Sequence, residues 1–184
     1  MPKVSTVAWF VLLLALTHAV KAQWILQSPI PTGRHLNSVD FITPTHGFAC
    51  GINRQLLETT DGGATWITRM SDALGTDPFY NVTFSDNMHG YMTGNIYDFR
   101  RDAWRTTDGG QTWNQMNNFP IGSWHLIDFV TPTRGYIGSN GACIFTPDGG
   151  DNWVLKSGYP NAPVMFGMDF RDEQVGLAGG LGVG

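Results

Sequence analysis

Residues 106–113 read Thr-Thr-Asp-Gly-Gly-Gln-Thr-Trp, and close copies of this octapeptide stand at residues 59–66 and 146–153. The aspartates of the three copies are 47 and 40 residues apart. A sequence that resembles itself at such a period is typical of an architecture in which one supersecondary unit is copied along the chain. The octapeptides therefore predict a repeat protein.

Each octapeptide carries the residues of a tight turn between two extended strands. Aspartate accepts hydrogen bonds from the backbone N–H groups just ahead of it, and glycine adopts positive φ without a steric cost. The threonines on either side supply further short-range polar partners. The turn residues to which this structural role is assigned are Asp61, Gly63, Asp108, Gly110, Asp148 and Gly150.

A tryptophan closes each octapeptide and begins the next strand. These residues are Trp66, Trp113 and Trp153. An indole ring is too large to remain in water, and its burial between neighbouring layers contributes roughly 2–3 kcal/mol. The aspartates have an alternative role as metal ligands or catalytic acids, but equivalent positions in successive repeats favour one structural device used three times.

The octapeptides resemble the Asp-box, or BNR repeat, whose pattern is Ser/Thr-x-Asp-x-Gly-x-Thr-Trp. The third copy departs from it with Asn152 in place of threonine and has Pro147 before the aspartate. The resemblance implies an all-β fold, a β-propeller of four-stranded antiparallel blades, with the box between the third and fourth strands. The sequence is most similar to photosystem II stability/assembly factor-like proteins, and more distantly to sialidase- and sortilin-type propellers.

A second landmark repeats together with the box. It is a phenylalanine followed six residues later by a glycine, which in turn precedes an apolar or aromatic residue. We assign the phenylalanines to the ends of first strands and the glycines to the starts of second strands, with a third strand entering each box. The pairs are Phe41 and Gly47, Phe84 and Gly90, Phe129 and Gly135, and Phe170 and Gly176.

These landmarks predict an incomplete propeller, because propellers have about four to eight blades. Trp24 stands 17 residues before Phe41, a spacing close to that of the box tryptophans from their phenylalanines, and predicts a lone fourth strand. The chain is then a fragment of a longer ring or an open arc that associates; a closed four-bladed ring lacking one strand is the alternative. The predicted full blades are about residues 35–70, 79–117 and 124–157, with a partial blade at 164–184.

Residues 1–22 have the pattern of a secretory signal peptide. Lys3 precedes a ten-residue apolar run at residues 7–16, which is too short to span a membrane, and residues 20–22 read Val-Lys-Ala, as at a cleavage site. We therefore expect a secreted, periplasmic or extracellular propeller segment, residues 23–184, without stable membrane insertion. An uncleaved membrane anchor is the alternative.

The composition is that of an ordered domain rather than a nucleic-acid binder. Fifteen acidic residues outweigh eleven Lys and Arg, so the basic stripe that nucleic acid requires is not expected. Cys50 and Cys143 fall in a second and a third strand two blades apart, which is beyond the reach of a disulfide. We predict that both are small buried hydrophobes, and we expect neither a metal nor a cofactor.

The sequence does not predict an enzyme. A glycosidase needs paired carboxylates on facing elements, and the only glutamates are Glu58, at an ordinary strand position, and Glu173, in a turn. His46 and His89 share a slot before the glycine of the first turn, which we interpret as solvent-facing. A carbohydrate-binding or sialidase-like glycoside hydrolase propeller is the alternative function, and it would require a cluster of arginines beside a Tyr/Glu pair.

The middle repeat is longer than its neighbours, because 24 residues separate Phe84 from the box aspartate, against 20 and 19 in the other repeats. The extra residues fall in 95–102, a loop that the up-and-down order of a blade places opposite the box. Long loops on a rigid scaffold often carry binding residues, and aromatic and Arg side chains are enriched at interface hot spots. The predicted partner-binding residues are Tyr97, Phe99, Arg100, Arg101 and, bordering them, Arg54.

We therefore expect this loop face to dock a protein or peptide partner, with a glycan as the alternative ligand. The opposing interpretation of residues 95–102 is a solvated loop with its own salt bridges. The resemblance to the photosystem II group implies an assembly-chaperone role in a photosynthetic organism. The residues themselves do not name the ligand.

Overall fold

The computed structural model is an all-β structure in the residues that it describes. Those residues form fourteen strands in four antiparallel sheets, which we call blades 1 to 4. They include no helix that is long and apolar enough to cross a membrane. The described residues are 32–71, 77–94, 103–116, 118, 124–139, 142–156 and 164–181. The predictions made for residues 1–22, Trp24 and residues 95–102 lie outside these ranges.

Each of the first three blades has four strands in up-and-down order, and blade 4 has two strands among the described residues. Blade 1 consists of β1 (Leu36–Phe41), β2 (Gly47–Gly51), β3 (Gln55–Thr59) and β4 (Ile67–Met70). Blade 2 consists of β5 (Phe79–Phe84), β6 (Gly90–Gly94), β7 (Ala103–Thr106) and β8 (Asn114–Gln115). Blade 3 consists of β9 (Trp124–Phe129), β10 (Gly135–Ser139), β11 (Ala142–Thr146) and β12 (Val154–Leu155), and blade 4 of β13 (Val164–Phe170) and β14 (Gly176–Leu181).

The phenylalanine and glycine landmarks mark strand ends as predicted. In every blade the phenylalanine ends the first strand, and the glycine begins the second strand opposite it. A Cβ atom at Gly90 would stand 2.5 Å from the ring of Phe84, and one at Gly135 would stand 2.6 Å from Phe129. The glycine is therefore needed because the phenylalanine ring lies across its α-carbon.

The two ends of the blades carry different connections. At one end the box hairpin meets the turn between the first two strands, because the Gly62 N–H donates to the Thr45 carbonyl at 2.8 Å and Gly149 donates to Thr133 at 2.7 Å. We call this end the box face. At the other end, which we call the link face, the β2–β3 turn meets the connection between blades, as Arg54 N–H donates to the Asp77 carbonyl at 2.8 Å.

The hydrophobic core lies between blades rather than within them. Phe48, Cys50 and Leu56 of blade 1 pack against Phe79, Val82 and Met92 of blade 2, and equivalent clusters join blade 2 to blade 3 and blade 3 to blade 4. An aromatic side chain of each second strand stacks on the phenylalanine of the following blade. These stacked pairs are Phe48 on Phe84, Tyr91 on Phe129 and Tyr136 on Phe170, with ring centroids 5.0, 3.3 and 3.8 Å apart.

Both cysteines occupy the predicted strands and are unpaired. Cys50 lies in β2 and Cys143 in β11, and both thiols are buried. Burial raises the pKa of each thiol above its ordinary value. The prediction that they act as small buried hydrophobes rather than as a disulfide is confirmed.

Candidate protein-binding surface

The first threonine of each box is the buried acceptor at the centre of the turn. The Thr106 hydroxyl accepts from the N–H of Gly110 at 2.9 Å and donates to Asp108 Oδ1 at 2.7 Å. Thr59 and Thr146 make the same bonds in their own boxes, and all three side chains are at most 1% exposed. The second box position is exposed in all three copies and makes no such hydrogen bond to another described residue, so Pro147 can stand where the other copies have threonine.

The box aspartate fixes the far side of the turn. Asp108 accepts from the backbone N–H of Thr112 at 2.9 Å, and its second oxygen accepts from the Thr112 hydroxyl at 2.6 Å. Asp61 makes the same pair of bonds with Thr65. In the third box the Asn152 amide donates to Asp148 at 2.7 Å, so asparagine replaces the usual threonine without loss of the contact.

These hydrogen bonds stabilise the ionised carboxylate. The Thr65 hydroxyl and N–H lower the pKa of Asp61 to about 2, and Thr112 lowers the pKa of Asp108 to about 2 in the same way. The side-chain amide of Asn152 is the main cause of the lowered pKa of Asp148. Hydrogen bonds to the charged form, rather than a neighbouring cation, therefore favour the ionised state of all three box aspartates.

The second glycine and the tryptophan of each box pack against neighbouring residues. Gly63, Gly110 and Gly150 have φ of 91°, 87° and 93°, and a Cβ at Gly110 would stand 2.2 Å from the ring of Phe48 in the preceding blade. The indole N–H of Trp66 donates to the Gly63 carbonyl at 3.1 Å, and Trp153 donates to Gly150. This geometry fits the structural role that the sequence predicts for the boxes.

In the described ranges the three box aspartates do not lie together in one site. Each box carboxylate accepts its hydrogen bonds from its own octapeptide. Across the same residues there is no group of three or more His, Cys, Asp or Glu side chains able to hold a metal ion. The three aspartates belong to three separate turns on the box face.

The two histidines of the first turns lie on the box face, but His46 is less exposed than the sequence suggests. Its Nε2 lies 2.8 Å from Oε1 of Glu58, and its ring packs against Phe48. Glu58 is 5% exposed and also pairs with Arg69, so it is a buried ion-pair residue rather than an ordinary strand position. Sequence reasoning missed this contact, since it joins three different elements. His89, by contrast, contacts Asp86 within its own exposed turn.

Arg54 is the one predicted partner-binding residue that lies within the described ranges. It occupies the turn between β2 and β3, where Asn53 and Arg54 have φ of 57° and 51°, the left-handed region that a tight hairpin of this kind requires. Its guanidinium lies 3.5 Å from Asp77 and 5.8 Å from the ring centre of Phe79. Only 8% of Arg54 is exposed, so it fastens the β2–β3 turn to blade 2.

The segment before β1 adds two basic residues to the link face that the sequence analysis did not select. The Thr32 hydroxyl donates to the side chain of Gln55 at 3.0 Å, and the His35 carbonyl accepts from the N–H of Ile52 at 3.1 Å. These bonds hold Arg34 and His35 beside the Arg54 turn. The only sequence signal was the pair of basic residues directly before the first strand.

The remaining predicted contacts, Tyr97, Phe99, Arg100 and Arg101, fall in residues that the structure leaves undescribed. The connection that carries them joins β6 to β7, the counterpart in blade 2 of the Arg54 turn. Their assignment to partner binding stays a prediction, as does that of Arg54.

Comparison with known proteins gives a consistent relationship. A family model described as Photosynthesis system II assembly factor YCF48 matches residues 16–79. The chain is 32% identical over 120 residues to the Photosystem II assembly lipoprotein Ycf48 of Synechococcus sp. (strain CC9902), covering 62% of this chain and 34% of that protein. It is 29% identical over 133 residues to the chloroplastic Photosystem II stability/assembly factor HCF136 of Arabidopsis thaliana, covering 68% and 32%. The chain thus spans about a third of the length of these relatives.

Solved structures agree with this relationship. A structure described as YCF48 bound to D1 peptide has a TM-score of 0.61 and 31% identity, covering 77% of this chain and 46% of that one. YCF48 from Cyanidioschyzon merolae has a TM-score of 0.59 and 32% identity, covering 71% and 39%. The described residues form BNR-type propeller blades similar to those of photosystem II assembly factors. An ancestral GH74 enzyme, with a TM-score of 0.55 and 16% identity, shares the fold alone.

Proposed function

We propose that this chain is an exported, non-enzymatic propeller segment that binds a protein or peptide and serves as a scaffold in photosystem II assembly. The observation that carries the proposal is its 31% identity, over 77% of the chain, to the YCF48 structure described as bound to D1 peptide. The named curated relatives are assembly factors for the same complex. The activity and the partner are therefore proposed by similarity, and a peptide of the D1 protein is the first candidate ligand.

The link face is the proposed binding surface. Arg34 and His35 lie there beside the turn that the buried Arg54 holds against Asp77, and the predicted Arg100 and Arg101 belong to the neighbouring β6–β7 connection. A guanidinium forms bidentate, charge-assisted hydrogen bonds with a carboxylate. Aromatic side chains such as the predicted Tyr97 and Phe99 add contact area at little entropic cost. A peptide that carries an acidic side chain or a terminal carboxylate fits this chemistry.

The contacts of the two glutamates support a role without catalysis. Glu58 is held by His46 and Arg69, and Glu173 is paired with Arg134. Neither is positioned as a free acid or nucleophile facing a second carboxyl group, which hydrolysis of a glycosidic bond requires. The likeness to a GH74 enzyme is a likeness of fold and carries no activity with it.

Export is proposed from two observations. The first 22 residues have the signal-peptide pattern, and two cyanobacterial relatives are named lipoproteins. We infer that the chain functions outside the cytoplasm. Mass spectrometry of the protein recovered from cells that make it should find a new N-terminus near Gln23, and an intact Met1–Ala22 segment would count against cleavage.

The binding surface is tested with a D1 peptide and an arginine double variant. We expect Arg100→Ala/Arg101→Ala to weaken peptide binding about tenfold or more, because two charge-assisted contacts are removed. Isothermal titration calorimetry measures the affinity. The thermal midpoint should move by no more than about a degree or two, as for other surface changes away from the core.

A matched control separates the link face from the overall charge of the protein. Arg171 is also an exposed arginine, at the β13–β14 turn on the box face, where it pairs with Asp172. Arg171→Ala should leave the affinity unchanged. Equal weakening by the control variant, or no weakening by the double variant, would remove the link face as the binding surface.

A further inference from the structure

The first strand of each blade carries a β-bulge at the same position. One residue is skipped by the pairing with the second strand, and it stands four residues before the phenylalanine that ends the first strand. A bulge bends its strand and re-aims a side chain, and bulges are frequent next to functional sites. Since the first strands begin at the link face, the bulges lie beside the proposed binding surface. The bulged residues are Asn37, Tyr80, His125 and Phe166.

A cavity of about 410 Å³ lies against these bulges. In a propeller the blades surround a central channel, and its described lining comes entirely from first strands. We call this cavity the inner cleft. The bulged Asn37, Tyr80 and Phe166 line it, together with Ser38, Asn81, Leu126 and Met165. Among these residues no side chain carries a formal charge, and the volume is within the range of about 300–1,000 Å³ that is usual for ligand pockets.

The strand segment that carries Tyr80 is fixed by contacts between blades 1 and 2. The Asn37 side-chain amide donates to the Phe79 carbonyl at 2.7 Å. The Ser38 hydroxyl donates to the Val82 carbonyl at 3.3 Å. Phe79 and Val82 are buried, so the main chain is held on both sides of Tyr80. An aromatic ring presented from a fixed backbone loses little conformational freedom when it binds.

The inner cleft is continuous with the link face. Tyr80 directly follows Phe79, whose ring centre lies 5.8 Å from the guanidinium of Arg54. At the other side, His35 stands two residues before Asn37, which is about 7 Å in an extended chain. The basic residues before β1 therefore adjoin an uncharged cleft.

We propose that the inner cleft receives a large apolar side chain of the peptide that the link face binds, and that Tyr80 determines the preference for it. The inference rests on the proposed function. A peptide carboxylate at Arg34 or His35 places a side chain two or three residues further along over the cleft, where Tyr80 and Leu126 supply apolar contact. A charged side chain is disfavoured, because the described lining offers it no opposite charge and burial of an unpaired charge is costly.

Protein variants test the role of Tyr80 by isothermal titration calorimetry with a D1 peptide. Tyr80→Ala should weaken binding about tenfold, since tyrosine contacts are often interface hot spots. Tyr80→Phe keeps the ring and should stay within about twofold of the wild type. Met88 is 49% exposed in the β5–β6 turn at the opposite end of the same blade, so Met88→Ala is the matched control and should bind as the wild type does.

Two measurements on the unmodified protein do not depend on the folding of a variant. In a series of D1 peptides, each large apolar residue is replaced in turn by Asp, and one position should lose affinity about tenfold or more. That peptide should lose little further affinity for Tyr80→Ala protein, because both changes remove the same contact. In hydroxyl-radical footprinting, the unaltered peptide should protect Tyr80 from oxidation and leave Met88 unprotected.

The outcomes separate this inference from the proposed function. Equal affinity of the Tyr80→Ala and wild-type proteins, an unprotected Tyr80 in the complex, or tolerance of Asp at every apolar peptide position would overturn the role of the inner cleft. If Arg100→Ala/Arg101→Ala still weakens binding in that case, the link face remains the binding surface and only the cleft is lost. A wild-type chain that does not bind the D1 peptide would overturn both.

Discussion

The first threonine of the Asp-box does as much for the turn as the aspartate that gives the motif its name. Its hydroxyl is buried, and it serves two backbone N–H groups and one carboxylate oxygen in each box. A buried donor without a partner costs about 1–3 kcal/mol. The box is therefore a small hydrogen-bonded network in which the threonine is buried and the aspartate is more accessible to solvent.

Removal of the Thr106 hydroxyl should destabilise blade 2. Thr106→Val keeps the shape of the side chain but leaves the Gly110 N–H unpaired, so we expect a loss of about 1–3 kcal/mol in the free energy of unfolding. Urea denaturation measures it. Thr106→Ser, which keeps the hydroxyl, is the control and should lose less; equal losses would show that packing rather than the hydrogen bond is responsible.

Acid should lower the stability of the folded protein by protonating the box aspartates. Because Asp61 and Asp108 have pKa values lowered to about 2 in the folded protein, their ionised forms favour folding. This stabilisation is fully present above the ordinary Asp pKa of about 3.9 and is lost as the pH falls towards about 2. We expect the thermal midpoint to fall over that interval. Asp108→Asn has no proton to gain at this position and should show a shallower fall; a profile as steep as that of the wild type would contradict the assignment.

At the scale of strands, the pairing of phenylalanine and glycine explains the spacing that repeats along the chain. The ring that ends the first strand lies over the glycine that begins the second, and it also faces the preceding blade. Gly90→Ala would place a methyl group 2.5 Å from Phe84, which should cost about 1–3 kcal/mol by overpacking. Gly167→Ala in β13 has open space around its Cβ and serves as the control.

A second substitution tests whether the clash is with the ring itself. Phe84→Leu should offset part of the cost of Gly90→Ala, since a smaller side chain leaves room for the added methyl group. A double-mutant cycle by chemical denaturation gives the coupling free energy. Strictly additive losses of unfolding free energy would contradict a contact between the added methyl group at residue 90 and the ring of Phe84.

The strands could be predicted from the sequence because their ends carry local signals. A turn or a strand end is marked in the sequence by residues that lie within a few positions of one another, as at Phe84, Gly90 and the box of Asp108. The burial of Arg54 and the contact between His46 and Glu58 could not be predicted in the same way. They depend on Asp77, Phe79 and Arg69, which other strands and connections bring close.

At the scale of the whole molecule, stability is shared between neighbours. Each core cluster takes its side chains from two blades, and the first strands are linked by the Asp40 and Asp128 hydrogen bonds. Stability in such repeat arrays is approximately a sum of unit and nearest-neighbour contributions. The hydrogen-bonded boxes stabilise one end of each blade, and the opposite end, the link face, is the one that we propose for binding.

Hydrogen–deuterium exchange of the chain with and without a D1 peptide tests this division of the molecule most directly. We predict added protection on the link face, in the β2–β3 turn around Arg54, near Asp77 and in residues 95–102, with the three boxes at 59–66, 106–113 and 146–153 unchanged. Protection confined to the boxes, with the link face unaffected, would contradict the account.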